Sequence, residues 1–313
     1  MSLNRVNQYV YTYACHEDEL PLCLLELRTL FGADPQVGYL ESAINVEVSR
    51  SPFMKQQMEV WLEADSLQAL SERMVEVELD GATFKVVYME TEPAEYELQR
   101  QVERALGARI RGQAEMRRPE RVFGVATIGE RYVFGPCRSS EAVWLAHKAK
   151  PQNYSTALST RVARAIANIA VPRPQGIKAI DPCCGIGTVL IEALSMGIEI
   201  VGFDLNPLAV RGARANLAHF GMPEVVAIRD MRELTGRYDA AVLDMPYNLC
   251  SVISTEEQLS LLQSLRRLAD RAVIVTTETI DLLVGQAGFT IQDRCVVRKG
   301  AFARQVLLCR SSQ

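Results

Sequence analysis

Long apolar runs are missing from this chain: no stretch approaches the roughly 18 consecutive residues that a membrane helix requires. The opening residues, MSLNRVNQ, lack the apolar core of a signal peptide, so a cytoplasmic protein is expected. Histidine is scarce. His16, His147 and His219 are scattered, which suggests no Ser-His-Asp arrangement. The eight cysteines form no C-x-x-C pair and keep no regular spacing, which argues against a disulfide framework and against zinc; no metal is expected. Also absent are the Gly-Lys-Ser/Thr ending of a phosphate-binding loop and the G-x-G-x-x-G of a dinucleotide site. With 313 residues, 48% of them hydrophobic, the chain has material for two globular domains and a substantial core.

What is present is organised around residues 177–188, IKAIDPCCGIGT. An apolar strand ends in Asp181, a turn follows with Cys183, Cys184, Gly185 and Gly187, and from Thr188 the pattern resumes with helical spacing. Strand, glycine turn and helix open a doubly wound α/β domain, whose ligands lie at the carboxyl ends of its strands. An acidic side chain before two glycines suits a ligand with a hydroxyl-rich sugar and a positive centre, such as S-adenosylmethionine, better than a pyrophosphate. The next strand, IEIVGFD, ends in Asp204 and is followed by Leu205 and Asn206, the latter a candidate N-cap before Pro207. Asp204 can accept hydrogen bonds from both ribose hydroxyls. A third strand leads to Asp230, placed for an adenine amino group, and Met231, placed to pack on the ring. The fourth, YDAAVLD, ends in Asp244-Met245-Pro246-Tyr247.

The order DPCCGIGT, GFDLNP, RDM, DMPYNL resembles class I S-adenosylmethionine-dependent methyltransferases. More narrowly, it is similar to the THUMP-associated RNA guanine-N2 methyltransferases that modify tRNA. The resemblance is close over residues 138–313 and loose before them. It implies a Rossmann-like α/β domain with a seven-stranded, mostly parallel sheet, S-adenosylmethionine as cofactor and RNA, most plausibly tRNA, as partner. It also implies that the segment around Tyr154 and Ser155 closes over the methionine end of the cofactor. One position departs: the family usually writes Asp-Pro-Pro-Tyr where this chain has Met245.

A delocalised exocyclic amine becomes a nucleophile when two acceptors grip its N–H bonds and aim its lone pair. Asp244 supplies a carboxylate, the Met245 carbonyl a second acceptor, Pro246 restricts the loop, and Tyr247 can stack on an extruded base. This motif leaves guanine N2, adenine N6 and a glutamine amide open; the resemblance alone points to guanine.

Charge divides the chain: residues 1–99 carry a net −12, residues 100–173 a net +9, and the remainder −1. Positive charge gathered on one surface can bind nucleic acid although the whole is acidic. The candidate RNA contacts are Arg100, Arg104, Arg109, Arg111, Arg117, Arg118 and Arg121, with Lys148 and Lys150 further on. Residues 1–90 alternate short β and α units, compatible with a ferredoxin-like domain, and the resemblance implies a THUMP-like module after them, so residues 1–137 are expected to be an N-terminal α+β RNA-recognition region. Residues 138–154 read as a linker and 155–313 as the methyltransferase domain, with a monomer favoured.

Overall fold

The computed structural model describes residues 8–77, 79–154, 157–246, 253–300 and 302–312. The chain forms two compact units, one of Met1–Ala14 and Ala33–Glu141, the other of Cys15–Gly32 and Ala142–Gln313.

The first unit is α+β. Strand β1 (Tyr9–Tyr13) precedes helix α1 (Leu20–Phe31), which belongs to the second unit; then come β2 (Tyr39–Ser42), β3 (Met54–Glu59), β4 (Leu62–Ala64), α2 (Leu67–Arg73), β5 (Phe84–Tyr88), α3 (Tyr96–Gly107), β6 (Arg121–Ile128) and β7 (Arg131–Ser139). The sheet runs β2-β1-β3-β7-β6-β5, with β4 also on β7. Residues 53–63, FMKQQMEVWLE, have a spacing that fits either helix or strand. Tertiary context decides for strand, because β3 pairs with β1 on one side and β7 on the other. Val102 and Leu106 of α3 and Leu70 of α2 pack with Phe84, Phe123 and Phe134 of the sheet. Around the Gly129-Glu130 turn β6 and β7 form a hairpin, paired from Phe123↔Pro136 to Ile128↔Arg131.

The second unit holds α4 (Thr160–Ala170), β8 (Lys178–Asp181), α5 (Thr188–Ser195), β9 (Glu199–Asp204), α6 (Pro207–His219), β10 (Val226–Ile228), β11 (Ala240–Asp244), α7 (Thr255–Leu268), β12 (Arg271–Thr276), α8 (Asp281–Gln286), β13 (Phe289–Lys299) and β14 (Phe302–Ser311). Its sheet runs β10-β9-β8-β11-β12-β14-β13. The first five of these strands pair in parallel, and β14 is antiparallel to both β12 and β13. This is the Rossmann-like, mostly parallel, seven-stranded sheet that the resemblance implied, with the antiparallel β13–β14 hairpin at its edge. The winding reverses between β8 and β11, so the carboxyl ends of β8, β9 and β11 flank the crevice where such sheets bind ligands.

Two features differ from the segmentation expected from sequence. The interval 138–154 is not one connecting stretch: β7 continues to Ser139, the units divide at Glu141 and Ala142, and a 3-10 stretch, Val143–Ala149, buries Trp144 in the second unit. Helix α1 lies with the second unit although it falls in the N-terminal third of the chain. The reason is its buried surface, for Leu22, Cys23, Leu25, Leu27 and Leu30 all have no exposure. A helix apolar on that many sides needs two partners, and it has them in α4 and β13. Glu26, also fully buried, accepts a hydrogen bond from Asn168 Nδ2 at 2.6 Å, and Arg28 pairs with Asp293 at 3.0 Å. No helix among the described residues is long and apolar enough to cross a membrane.

Candidate active site at the strand tips

All four aspartates expected at strand ends line one cavity of about 690 Å³. The same walls hold Cys183, Cys184, Gly185, Thr188, Leu205, Asn206, Met231, Met245, Pro246 and Tyr154. Gly187 stands beside them as the N-cap of α5 with φ +79°, a left-handed conformation in which a Cβ would also lie 3.2 Å from that of Ala213. Ser155 and Tyr247 fall outside the described residues.

Each carboxylate has its own environment. Asp204 ties the glycine turn to the second strand: Gly185 N–H donates to its Oδ2 and Asn206 N–H to its Oδ1, both at 2.8 Å. Asn206 in turn caps α6 through Leu208 N–H at 2.9 Å, as its position before Pro207 suggested. Asp181 is 3% exposed and accepts a long bond, 3.3 Å, from Cys183 N–H. Burial pushes its carboxyl well above the ordinary range, opposed by that bond and reinforced by Asp244 and Asp204. Asp230 is engaged by Arg232, whose backbone N–H and Nε both donate to its Oδ1 at 2.9 Å. That pairing holds the Asp230 carboxyl below its usual value. Arg232 was not singled out from the sequence, yet its place two residues after Asp230 suits such a turn.

Asp244 differs from the other three. Its Oδ1 is buried with no hydrogen-bond partner among the described residues. Burial pushes its pKa up to about 7, partly countered by the charge of Arg304. Its neighbour Met245 accounts for the departure from Asp-Pro-Pro-Tyr. The Met245 N–H donates to Val275 O at 2.9 Å, continuing the β11–β12 ladder by one bond that proline could not make. Its side chain is 5% exposed and packs into the core with Met231, Leu261 and Leu265.

These residues fit the cofactor that the sequence suggested. Two buried oxygens without a hydrogen-bond partner among the described residues, Asp244 Oδ1 and Thr188 Oγ1, belong to residues lining the cavity, and Gly185 leaves nothing within 4 Å of where a Cβ would stand. The carboxylates suit hydroxyls and a cationic sulfur. The Cys183 and Cys184 thiols are pushed upward by burial and then by the aspartates, so they remain neutral walls rather than nucleophiles.

The candidate RNA contacts are dispersed. In the first unit Arg104, Arg109, Arg111, Arg117 and Arg118 are exposed. Arg100 lies over the Tyr96 ring and pairs with Glu103 at 2.7 Å, and Arg121 pairs with Asp80 at 3.6 Å. In the second unit Lys148 is exposed over the Trp144 ring, whereas Lys150 is 8% exposed and its pKa is lowered by burial.

Strand order and tip chemistry are like those of class I, S-adenosylmethionine-dependent methyltransferase domains. Residues 147–294 match the family model of the UPF0020, RMKL-like methyltransferase domain. The tRNA (guanine(10)-N2)-dimethyltransferase of Methanothermobacter thermautotrophicus is 30% identical over 171 residues, half of this chain and half of that protein. The enzyme of the same name from Pyrococcus abyssi is 30% identical over 110 residues, 33% of this chain and 32% of that protein. This chain thus spans half of the first relative's length and about a third of the second's. The crystal structure of TrmN from Thermus thermophilus aligns over 97% of this chain and 99% of that one, with a TM-score of 0.48 and 19% identity.

Proposed function

We propose that this chain methylates the exocyclic N2 amine of a guanine in tRNA, using S-adenosylmethionine. The observation that carries the reading is the convergence of four strand-tip aspartates on one cavity, with a buried Asp244 oxygen left unpartnered among the described residues. The choice of guanine and tRNA is supported by the names of the relatives.

When bound, the cofactor supplies an electrophilic methyl group on a positively charged sulfur. Asp204 has both carboxylate oxygens engaged by backbone N–H groups and retains lone pairs for ribose hydroxyls. Met231 and Leu205 offer apolar surface for the adenine, with Asp230 beside them. Asp244 accepts an N–H of the target amine through Oδ1, and the Met245 carbonyl accepts the other, so the nitrogen lone pair is fixed in direction. As positive charge grows on that nitrogen the ionised Asp244 stabilises it, an effect enlarged by exclusion of water. The exposed arginines of the first unit hold the RNA backbone, giving that unit the role of RNA recognition, in a monomeric cytoplasmic enzyme.

The test uses the full chain, labelled cofactor and separate pools of tRNA, rRNA, DNA and protein. Label is expected in tRNA as N2-methylguanosine or its dimethyl form. Label confined to another pool would replace the proposed substrate.

A further inference from the structure

A second cavity of the same unit, about 840 Å³, adjoins the first and shares Tyr154, Ala157 and Leu158 with it. Its volume is that of a ligand site rather than a packing defect. Five basic side chains line it against two acidic ones, Asp18 and Glu19. Glu19 is matched by Arg161 at 2.8 Å, and the four remaining lysines and arginines against Asp18 leave the lining a cationic excess. At the tip of the β13–β14 hairpin, the Arg304 guanidinium lies over the Phe302 ring at 4.6 Å, and Arg298 is exposed nearby on the same wall. Phe302 is 37% exposed and Tyr154, on the shared lip, 47%. Basic groups interleaved with open aromatic faces are the means by which proteins hold single-stranded nucleic acid, through phosphate contacts and base stacking. The charge of Arg304 also reaches Asp244, which ties the second cavity to the end of the first where the amine is gripped.

We propose that this second cavity seats the single-stranded RNA flanking the target guanine, with Arg298 and Arg304 on its phosphates and Phe302 and Tyr154 against its bases. The inference rests on the RNA-methylating reading above and deepens it. An unpaired strand laid here delivers its extruded base across the Tyr154 lip towards Asp244, while paired regions of the RNA remain outside.

The experiment uses the full chain with unmodified bulk tRNA and labelled cofactor, comparing Arg298→Glu, Arg298→Lys and Phe302→Ala with the parent. Arg211→Glu serves as control, since Arg211 is exposed on α6 and lines neither cavity. Arg298→Glu is expected to lower kcat/KM for tRNA about 10-fold or more, leave cofactor affinity unchanged, and reduce the salt dependence of tRNA binding by about one unit of log K per log salt. Arg298→Lys is expected to keep the salt slope, and Phe302→Ala to lose affinity without changing that slope. Full activity and an unaltered slope in Arg298→Glu, with an active parent, would overturn the inference and leave the proposed function standing. An equal loss in Arg211→Glu would overturn it too, because a diffuse field would then account for the effect. A parent that labels no RNA would remove both.

Discussion

Two regions of the second unit bury a carboxylate and use it in opposite ways. In the seam between α4 and α5, Glu192 has no exposure and both its oxygens are engaged. Arg164 donates to Oε2 at 2.8 Å, and His147 Nδ1 lies 2.7 Å from Oε1. Arg164, itself 2% exposed, also donates to Ser195 Oγ at 2.9 Å. At the tip of β11, Asp244 is buried to a similar degree at Oδ1, yet that oxygen has no partner among the described residues. A satisfied buried charge braces the scaffold, whereas one held short of partners keeps its hydrogen-bonding capacity for something that arrives from solution.

The comparison can be broken most sharply at Asp244. Asp244→Ala is expected to cut methyl transfer by about 10³-fold or more, as removal of an oriented transition-state contact does, while cofactor affinity by calorimetry stays within a few-fold. A rate equal to the parent's would rule out the assigned site. At the opposite pole, Glu192→Ala leaves the Arg164 guanidinium buried beside a lost carboxylate. That should cost about 3–5 kcal/mol and lower the melting temperature by about 10 °C in a thermal scan. A melting point within a degree of the parent's would refute its role as a brace.

A third outcome depends on pH. With its pKa raised to about 7 in the folded state, Asp244 favours folding in its protonated form. That contribution is complete below about pH 4 and is lost as pH rises through about 7. Asp244→Asn, which stays neutral, should therefore be more stable than the parent at pH 8 by about 2–4 kcal/mol in denaturant titrations, with the gap closing towards pH 4. A gap that does not change with pH would mean that Asp244 is not the titrating group. The smallest effect concerns its neighbour. Met245→Pro restores the commoner motif but removes the N–H bonded to Val275 O, and should destabilise by about 1–3 kcal/mol rather than stabilise.

Much of the site was legible because it follows the chain locally. Asp181, Asp204, Asp230 and Asp244 each close a strand whose apolar pattern is readable, and an α/β sheet brings successive tips together by topology alone. The Asn206 cap and the Gly32 stop of α1, at φ +72°, are equally local. What escaped depends on distance. The capture of Asp230 by Arg232 turns on a side-chain rotamer, and the reach of Arg304 to Asp244 spans 60 positions along the chain. The leucines of α1 do not say which unit buries them, since apolar faces carry no address. Lys150 looked like a surface cation because composition does not report that the stretch around Trp144 folds inward.

The placement of α1 has a practical corollary for anyone dissecting this protein. The second unit cannot be liberated by a single cut, because a fragment beginning at Ala142 would bare the flanks of α4 and β13 and take the Glu26 carboxylate away from Asn168. Supplied separately, a peptide of residues 15–32 would have a ready-made berth there. The second unit is thus discontinuous along the chain, and any excision of it has to carry residues 15–32, with the twelve-residue helix α1 among them.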